Sequence, residues 1–354
     1  MTMPAEDPAA AYAQFAATLA GARESLLTSR PNRTAIDDAD GEQFIAGLIE
    51  GAMQFVLSDP ARPAFIPWVS PTRRWMDNGR DSVYWMAPVD GTRRYRISGQ
   101  RGEECYLSFT LYSGDPGHPQ HVVANWNHRD LAADVGDAYA FEIEPPADAC
   151  YVISRQYFDR PLVDRPGTFT IEALGVGAPV PGQAALASRW QAATAFLSAM
   201  TATPRAGGPP PAYVSTVPNV MGDPSVWTES EGGGRGTPDQ TYALGPYALA
   251  ENEALHIDLS FPACAYASVA LWNRFSQTVD RRFHCSTLNH RELTVDPDGH
   301  AHIVVAHRDP GVANWLDTGG RTRGTLFFRF LLAEIAPGTI SSVVVPLLSR
   351  RVGR

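Results

Sequence analysis

The chain has 354 residues, 44% of them hydrophobic and 19% charged, and carries a formal net charge of −9. That composition is globular and long enough for two domains, and the acidic balance speaks against a nucleic-acid partner. All 29 residues counted as Lys or Arg are arginine, which excludes a lysine Schiff base, a Walker phosphate loop and a kinase strand lysine, so no nucleotide or pyridoxal cofactor is expected.

Residues 1–59 read as helical. Tyr12, Phe15, Leu19, Ala22 and Leu26 recur at gaps of three and four, and Phe44, Ile45, Leu48, Ile49, Ala52, Phe55 and Val56 form a second stripe. These stripes are expected to pack on the domain or on a partner chain, which makes the N-terminal helices a candidate surface for a homo-oligomer. An aromatic group follows, Phe65, Trp68, Trp75, Tyr84 and Trp85. It reads as core between the helices and the first sheet, with an apolar or carbohydrate-binding cleft as the alternative.

After Pro60 the period changes to two. Cys105, Leu107, Phe109 and Leu111 alternate with Tyr106, Ser108 and Thr110, and similar runs lie at Tyr139–Ile143 and Phe169–Ala173. Such alternation predicts half-buried antiparallel strands, and residues 60–180 are expected to form a first β-domain. A helical stripe, Leu186, Trp190, Ala193, Leu197 and Met200, spans the connecting segment 181–204. A proline-rich stretch follows, and Glu229–Gly236, with three consecutive glycines, reads as a mobile loop. Residues 205–354 then return to strands at Leu255–Phe261, Ala301–His307 and Gly324–Leu332. The expected fold is therefore mainly β: two antiparallel β-sandwich or jelly-roll-like domains with N-terminal and inter-domain helices. The halves look architecturally alike, but no clear sequence repeat links them. The dispersed cysteines, Cys105, Cys150, Cys264 and Cys285, form no CxxC motif and read as small core residues. There is no basic n-region and no membrane-length apolar run, so a cytoplasmic protein without disulfides and without membrane association is expected.

The densest chemistry lies in His307-Arg308-Asp309-Pro310-Gly311-Val312-Ala313-Asn314-Trp315-Leu316-Asp317-Thr318-Gly319-Gly320. This run leaves an apolar strand and gathers an imidazole, carboxylates, an amide and an indole on a loop, where function tends to sit. Downstream, Arg329 lies among Phe327, Phe328, Phe330 and Leu331, so its charge needs a carboxylate or a ligand anion. His300 and His302 form a His-x-His pair without a following glutamate, and no metal site is assigned. The segment from Leu271 to Glu334, with its "LWN" strand, "DG" turn, "NWLDT" and "RGTLFFRF", resembles the family called domain of unknown function 1214. The resemblance implies β-sandwich or jelly-roll domains and no established activity.

Two functional readings stay open. One is a small-molecule enzyme of hydrolase or lyase type, with His307 as acid/base and Asp309 or Asp317 orienting it. Asn314, Trp315, Arg329, Arg282 and Asn273 would bind substrate in a pocket bordered by the His307–Asp317 loop. The other is a non-catalytic β-sandwich that binds a carbohydrate or lipid. The position of the His307 ring discriminates between them. Should His307 and Arg329 share no cavity, the aromatic group around Trp68–Trp85 becomes the better candidate.

Overall fold

Strong local signals start the helices. Asp7 caps α1 (Pro8–Thr28) by accepting from the Ala9 amide, and Thr34 and Asp37 form a reciprocal capping box at α2 (Ala35–Leu57). The structure, a computed structural model, describes residues 7–77, 79–114, 120–131, 137–175, 177, 180–202, 209–228 and 236–347. Residues 229–235 of the glycine loop and 203–208 of the proline-rich stretch lie outside the described residues. Apart from Tyr12, which is exposed, both N-terminal stripes are buried or partly buried within this chain. They pack with α3 (Gln183–Thr201) through contacts such as Phe15–Trp190 and Phe55–Phe196, with ring centroids 5.4 and 5.2 Å apart. No helix among the described residues is long and apolar enough to cross a membrane.

The rest is mainly β, as the period-two runs predict. In the first half, β1 (Ile66–Pro67), β2 (Ser82–Pro88), β4 (Tyr106–Ser113), β5 (His121–Asn127) and β7 (Ala149–Tyr157) form a five-stranded sheet in the order β1-β2-β7-β4-β5. Facing it is β6-β3-β8, from β3 (Arg94–Gln100), β6 (Ala138–Ile143) and β8 (Thr168–Leu174). In the second half, β9 (Ser225–Val226), β10 (Gln240–Ala248), β12 (Tyr266–Trp272), β13 (Thr287–Asn289) and β16 (Arg323–Leu331) form β13-β12-β16-β10-β9. Its partner sheet is β15-β14-β11-β17, from β11 (Glu253–Ser260), β14 (His300–Ala306), β15 (Trp315–Asp317) and β17 (Ser341–Pro346). Pairing between these strands is antiparallel except for the short β14–β15 contact.

The two strand orders are the same topology written twice. β1 to β5 correspond to β9 to β13, β6 to β14, β7 to β16 and β8 to β17, with β15 as an addition. The register then aligns residues. Arg155 on β7 pairs with Tyr84 and Ser108, and Arg329 on β16 pairs with Tyr242 and Ser268. Once aligned, the sequence motifs match: Asp81/Tyr84/Pro88 with Asp239/Tyr242/Pro246, and Tyr106/Ser108/Leu111 with Tyr266/Ser268/Leu271. Asn127-His128-Arg129-Asp130 likewise matches Asn289-His290-Arg291-Glu292. The local bonding also repeats. The Asn127 and Asn289 amides donate to the acid three residues on, and His128 and His290 sit edge-on to Tyr106 and Tyr266. The expectation of no repeat is thus corrected.

The five-stranded sheets face each other across a seam. This corrects the half-buried reading of β4, which is buried throughout, as is β12. Leu107, Phe109 and Leu111 enter the first sandwich core, while Tyr106 and Tyr112 face helices and seam. On β16, Phe328 and Phe330 enter the second core, while Phe327 and Arg329 face the seam. Two matched clamps cross it. Asp81 accepts from Tyr266 Oη at 2.9 Å and Asn289 Nδ2 at 3.2 Å, and Asp239 accepts from Tyr106 Oη at 2.7 Å and Asn127 Nδ2 at 3.1 Å.

Candidate functional site at the seam

A cavity of about 220 Å³ lies in the seam. Its walls are aromatic: Trp68, Trp75, Tyr84, Tyr213, Trp227, Tyr242, Trp272 and Phe327. Trp272 stacks on Phe327 with centroids 4.2 Å apart, which fixes one wall. Set among these rings are Arg155 and Arg329, both 4% exposed and both on the central strand of their sheet.

The two arginines differ because their neighbours do. Arg155 donates to Thr110 Oγ1 at 2.9 Å and to Tyr112 Oη at 2.7 Å, acceptors supplied by its own sheet. At the matching positions of the second half stand Ala270 and Trp272, which offer no side-chain acceptor. Arg329 therefore reaches across the seam to Tyr84 Oη through Nη1, and its Nε has no hydrogen-bond partner among the described residues. No carboxylate of the described residues lies within ion-pairing distance of Arg329. Its guanidinium lies over the rings of Phe327, Tyr157 and Tyr242 at 4.7, 5.4 and 5.6 Å. Burial pulls its pKa below arginine's ordinary value. A second donor in the same lining, the indole Nε1 of Trp75, is also buried without a partner. A buried cation and an unpaired indole N–H in one cavity favour an acceptor-bearing, negatively charged guest.

The structure separates the residues that the sequence groups together. His307 follows directly after β14 of the outer sheet of the second half, and neither it nor any other residue of the His307–Asp317 loop lines the seam cavity with Arg329. The expected shared pocket is corrected on this point. The His307 Nδ1 bonds Thr318 Oγ1 at 2.6 Å and Nε2 lies 3.4 Å from the Leu249 carbonyl, so the ring is engaged by its surroundings. Asp309 accepts from the Gly311 amide at 2.6 Å and shapes its own turn. Asn314 accepts from Thr294 N and donates to the Thr294 and His302 carbonyls, tying one loop to β14. Trp315 donates to the Ala306 carbonyl. Asn273 organises its own turn through Phe275 N and Gln277 N. Arg282 is paired with Asp280 at 2.6 Å. Asp317 does orient a histidine, but the histidine is His284, at 2.7 Å. The His-x-His pair holds His302 against Asp258 at 2.7 Å and His256 at 3.0 Å on the exposed sheet face. Among the described residues no group of three potential ligands is arranged for a metal ion. All four cysteines are free, and Cys285 is exposed rather than buried in the core.

A larger cavity, about 540 Å³, lies beside α3. Its charged residues include Arg93 and Arg189, which are paired with Asp90 at 2.7 Å and Asp59 at 3.2 Å, so both cations already have carboxylate partners. The seam cavity is smaller but holds Arg329, a buried cation without a carboxylate partner among the described residues. Of the residues that build it, the sequence reading named Arg329 and the Trp68–Trp85 group. It missed Arg155, Tyr242, Trp227 and Trp272, which the matching of the two halves would have found.

No family model matches the chain, and no curated protein matches it. Among solved structures, the chain is similar to an uncharacterised protein of Burkholderia cenocepacia, at 25% identity and a TM-score of 0.84, covering 95% of this chain and 97% of that one. It also aligns with the VPA0106 protein of Vibrio parahaemolyticus at 13% identity and a TM-score of 0.46, over 85% of this chain and 98% of that one. The first of these supports the whole mainly β fold described above; the second is too distant to add to it.

Proposed function

We propose that the protein binds a small organic anion, a carboxylate with a flat apolar body, in the seam cavity. The observation that carries this reading is Arg329: buried, caged by three rings, and without a carboxylate partner among the described residues. A bound carboxylate would neutralise it and accept from Nε, while the aromatic walls would bury the body of the ligand. The cavity volume limits the guest to a small molecule. The acid–base alternative at His307 has less support, because that ring already bonds Thr318 and Leu249 and has no carboxylate partner among the described residues. Kinship with the domain of unknown function 1214 remains part of the proposal and carries no activity with it.

Four tryptophans line the cavity, so binding is readable without a label. Aromatic and short aliphatic carboxylates are titrated against intrinsic fluorescence, with the matching primary amides as uncharged controls. Saturable quenching by acids but not amides, lost in Arg329→Met, supports the proposal. Equal binding of acid and amide, or an unchanged response in Arg329→Met, contradicts it.

A further inference from the structure

A further pocket, about 300 Å³, opens where the β12–β13 connection meets the 3-10 turn Gly79–Asp81. It is lined by Arg80, Arg281, Phe283, His284, Cys285, Ser286 and Thr287, and it shares no lining residue with the seam cavity. Two of its polar groups lack partners among the described residues. Arg281 Nη1 is buried without an acceptor, and Thr287 Oγ1, on a residue 4% exposed, is buried without one as well. Around them the other polar groups are committed: Arg80 to Glu292 and Asp81, His284 to Asp317, and Ser286 Oγ to the Val279 carbonyl. Asp77 and Asp81 act on Arg281 electrostatically, but neither comes within ion-pairing distance of it. Phe283, 76% exposed, stands at the rim under the Arg282 guanidinium.

We infer that this pocket is a second ligand site, for a small oxyanion held by Arg281 and Thr287. A guanidinium and a hydroxyl, both short of acceptors, suit the oxygens of a phosphate or carboxylate group. The exposed Phe283 would cover an apolar substituent on that group.

The test is calorimetric titration of the full chain with inorganic phosphate, and separately with acetate, at constant ionic strength. Saturable binding of either anion is expected, weakened about tenfold or more by Arg281→Gln, since one charged hydrogen bond is worth roughly that factor. Thr287→Val should weaken it severalfold. Thermal melts of each variant confirm folding, and Thr287→Val stands in if Arg281→Gln does not fold. Absence of saturable binding by both anions overturns the inference. So does binding that survives Arg281→Gln but is lost in Arg329→Met, which would assign the anion to the seam.

Discussion

Arg155 and Arg329 occupy matching positions, yet replacing each by methionine should move stability in opposite directions. An unpaired ion taken out of water costs several kcal/mol even after local relaxation. Against this, Arg329 recovers one hydrogen bond to Tyr84, worth about 1.5–3 kcal/mol, and cation–π contacts worth roughly 0.5–2 kcal/mol. The balance is neutral to unfavourable, so Arg329→Met in the ligand-free protein should be between neutral and about 3 kcal/mol more stable, a rise of up to a few degrees in Tm. Arg155→Met leaves Thr110 and Tyr112 without their donor in a buried setting and should cost about 2–4 kcal/mol. Differential scanning calorimetry on ligand-free protein, extracted under denaturing conditions and refolded, reads both. A Tm for Arg329→Met that falls as far as that of Arg155→Met would refute the reasoning, because it would mean that Arg329 is already satisfied by the protein.

Asp81 is pushed up to about 6 by burial, so the folded state holds a proton that the unfolded state releases near 3.8. Its contribution is fully present below about 4 and is lost as pH rises to about 6; Asp81→Asn should therefore melt higher than wild type at pH 7, with the gain fading towards pH 4. Tyr106→Phe and Tyr266→Phe each remove one clamp bond across the seam and should cost similar amounts, about 1–3 kcal/mol by chemical denaturation. A silent variant at either site would break the proposed equivalence of the clamps. His307→Ala should lose about 1 kcal/mol through its Thr318 bond and leave carboxylate binding intact. Loss of binding in a folded His307→Ala protein would return the site to the C-terminal loop.

Helices and strands were legible because burial imposes periods of 3.6 and two, and Phe15, Leu48, Leu107 and Phe328 all lie where those periods put them. Arg329 was legible for the same reason: a charge inside an apolar strand has to be compensated. The duplication was not, because its marks are few and unevenly spaced. The connection that carries β14 and β15 makes the second half longer between Asn289 and Arg329 than the first is between Asn127 and Arg155. The His-Arg-Asp run at 307–309 also drew attention from the true pair, Asn127-His128-Arg129-Asp130 and Asn289-His290-Arg291-Glu292. Nor can strand periodicity tell a face that meets solvent from one that meets a second sheet, which is why the seam had to be seen in three dimensions. The loop at His307–Asp317 looked functional for a related reason. Asp, Asn and Gly serve turns as readily as chemistry, and here Asp309 and Asn314 serve the chain itself.

The seam proposal is tested most directly by crystals soaked with brominated aromatic carboxylates and examined for anomalous bromine signal. The account predicts a bromine peak between the two five-stranded sheets, with the carboxylate bonded to Arg329 Nε and the ring against Trp272 or Trp227. A peak only in the larger cavity beside α3, or an Arg329 already bonded to a carboxylate of the protein itself, would contradict it.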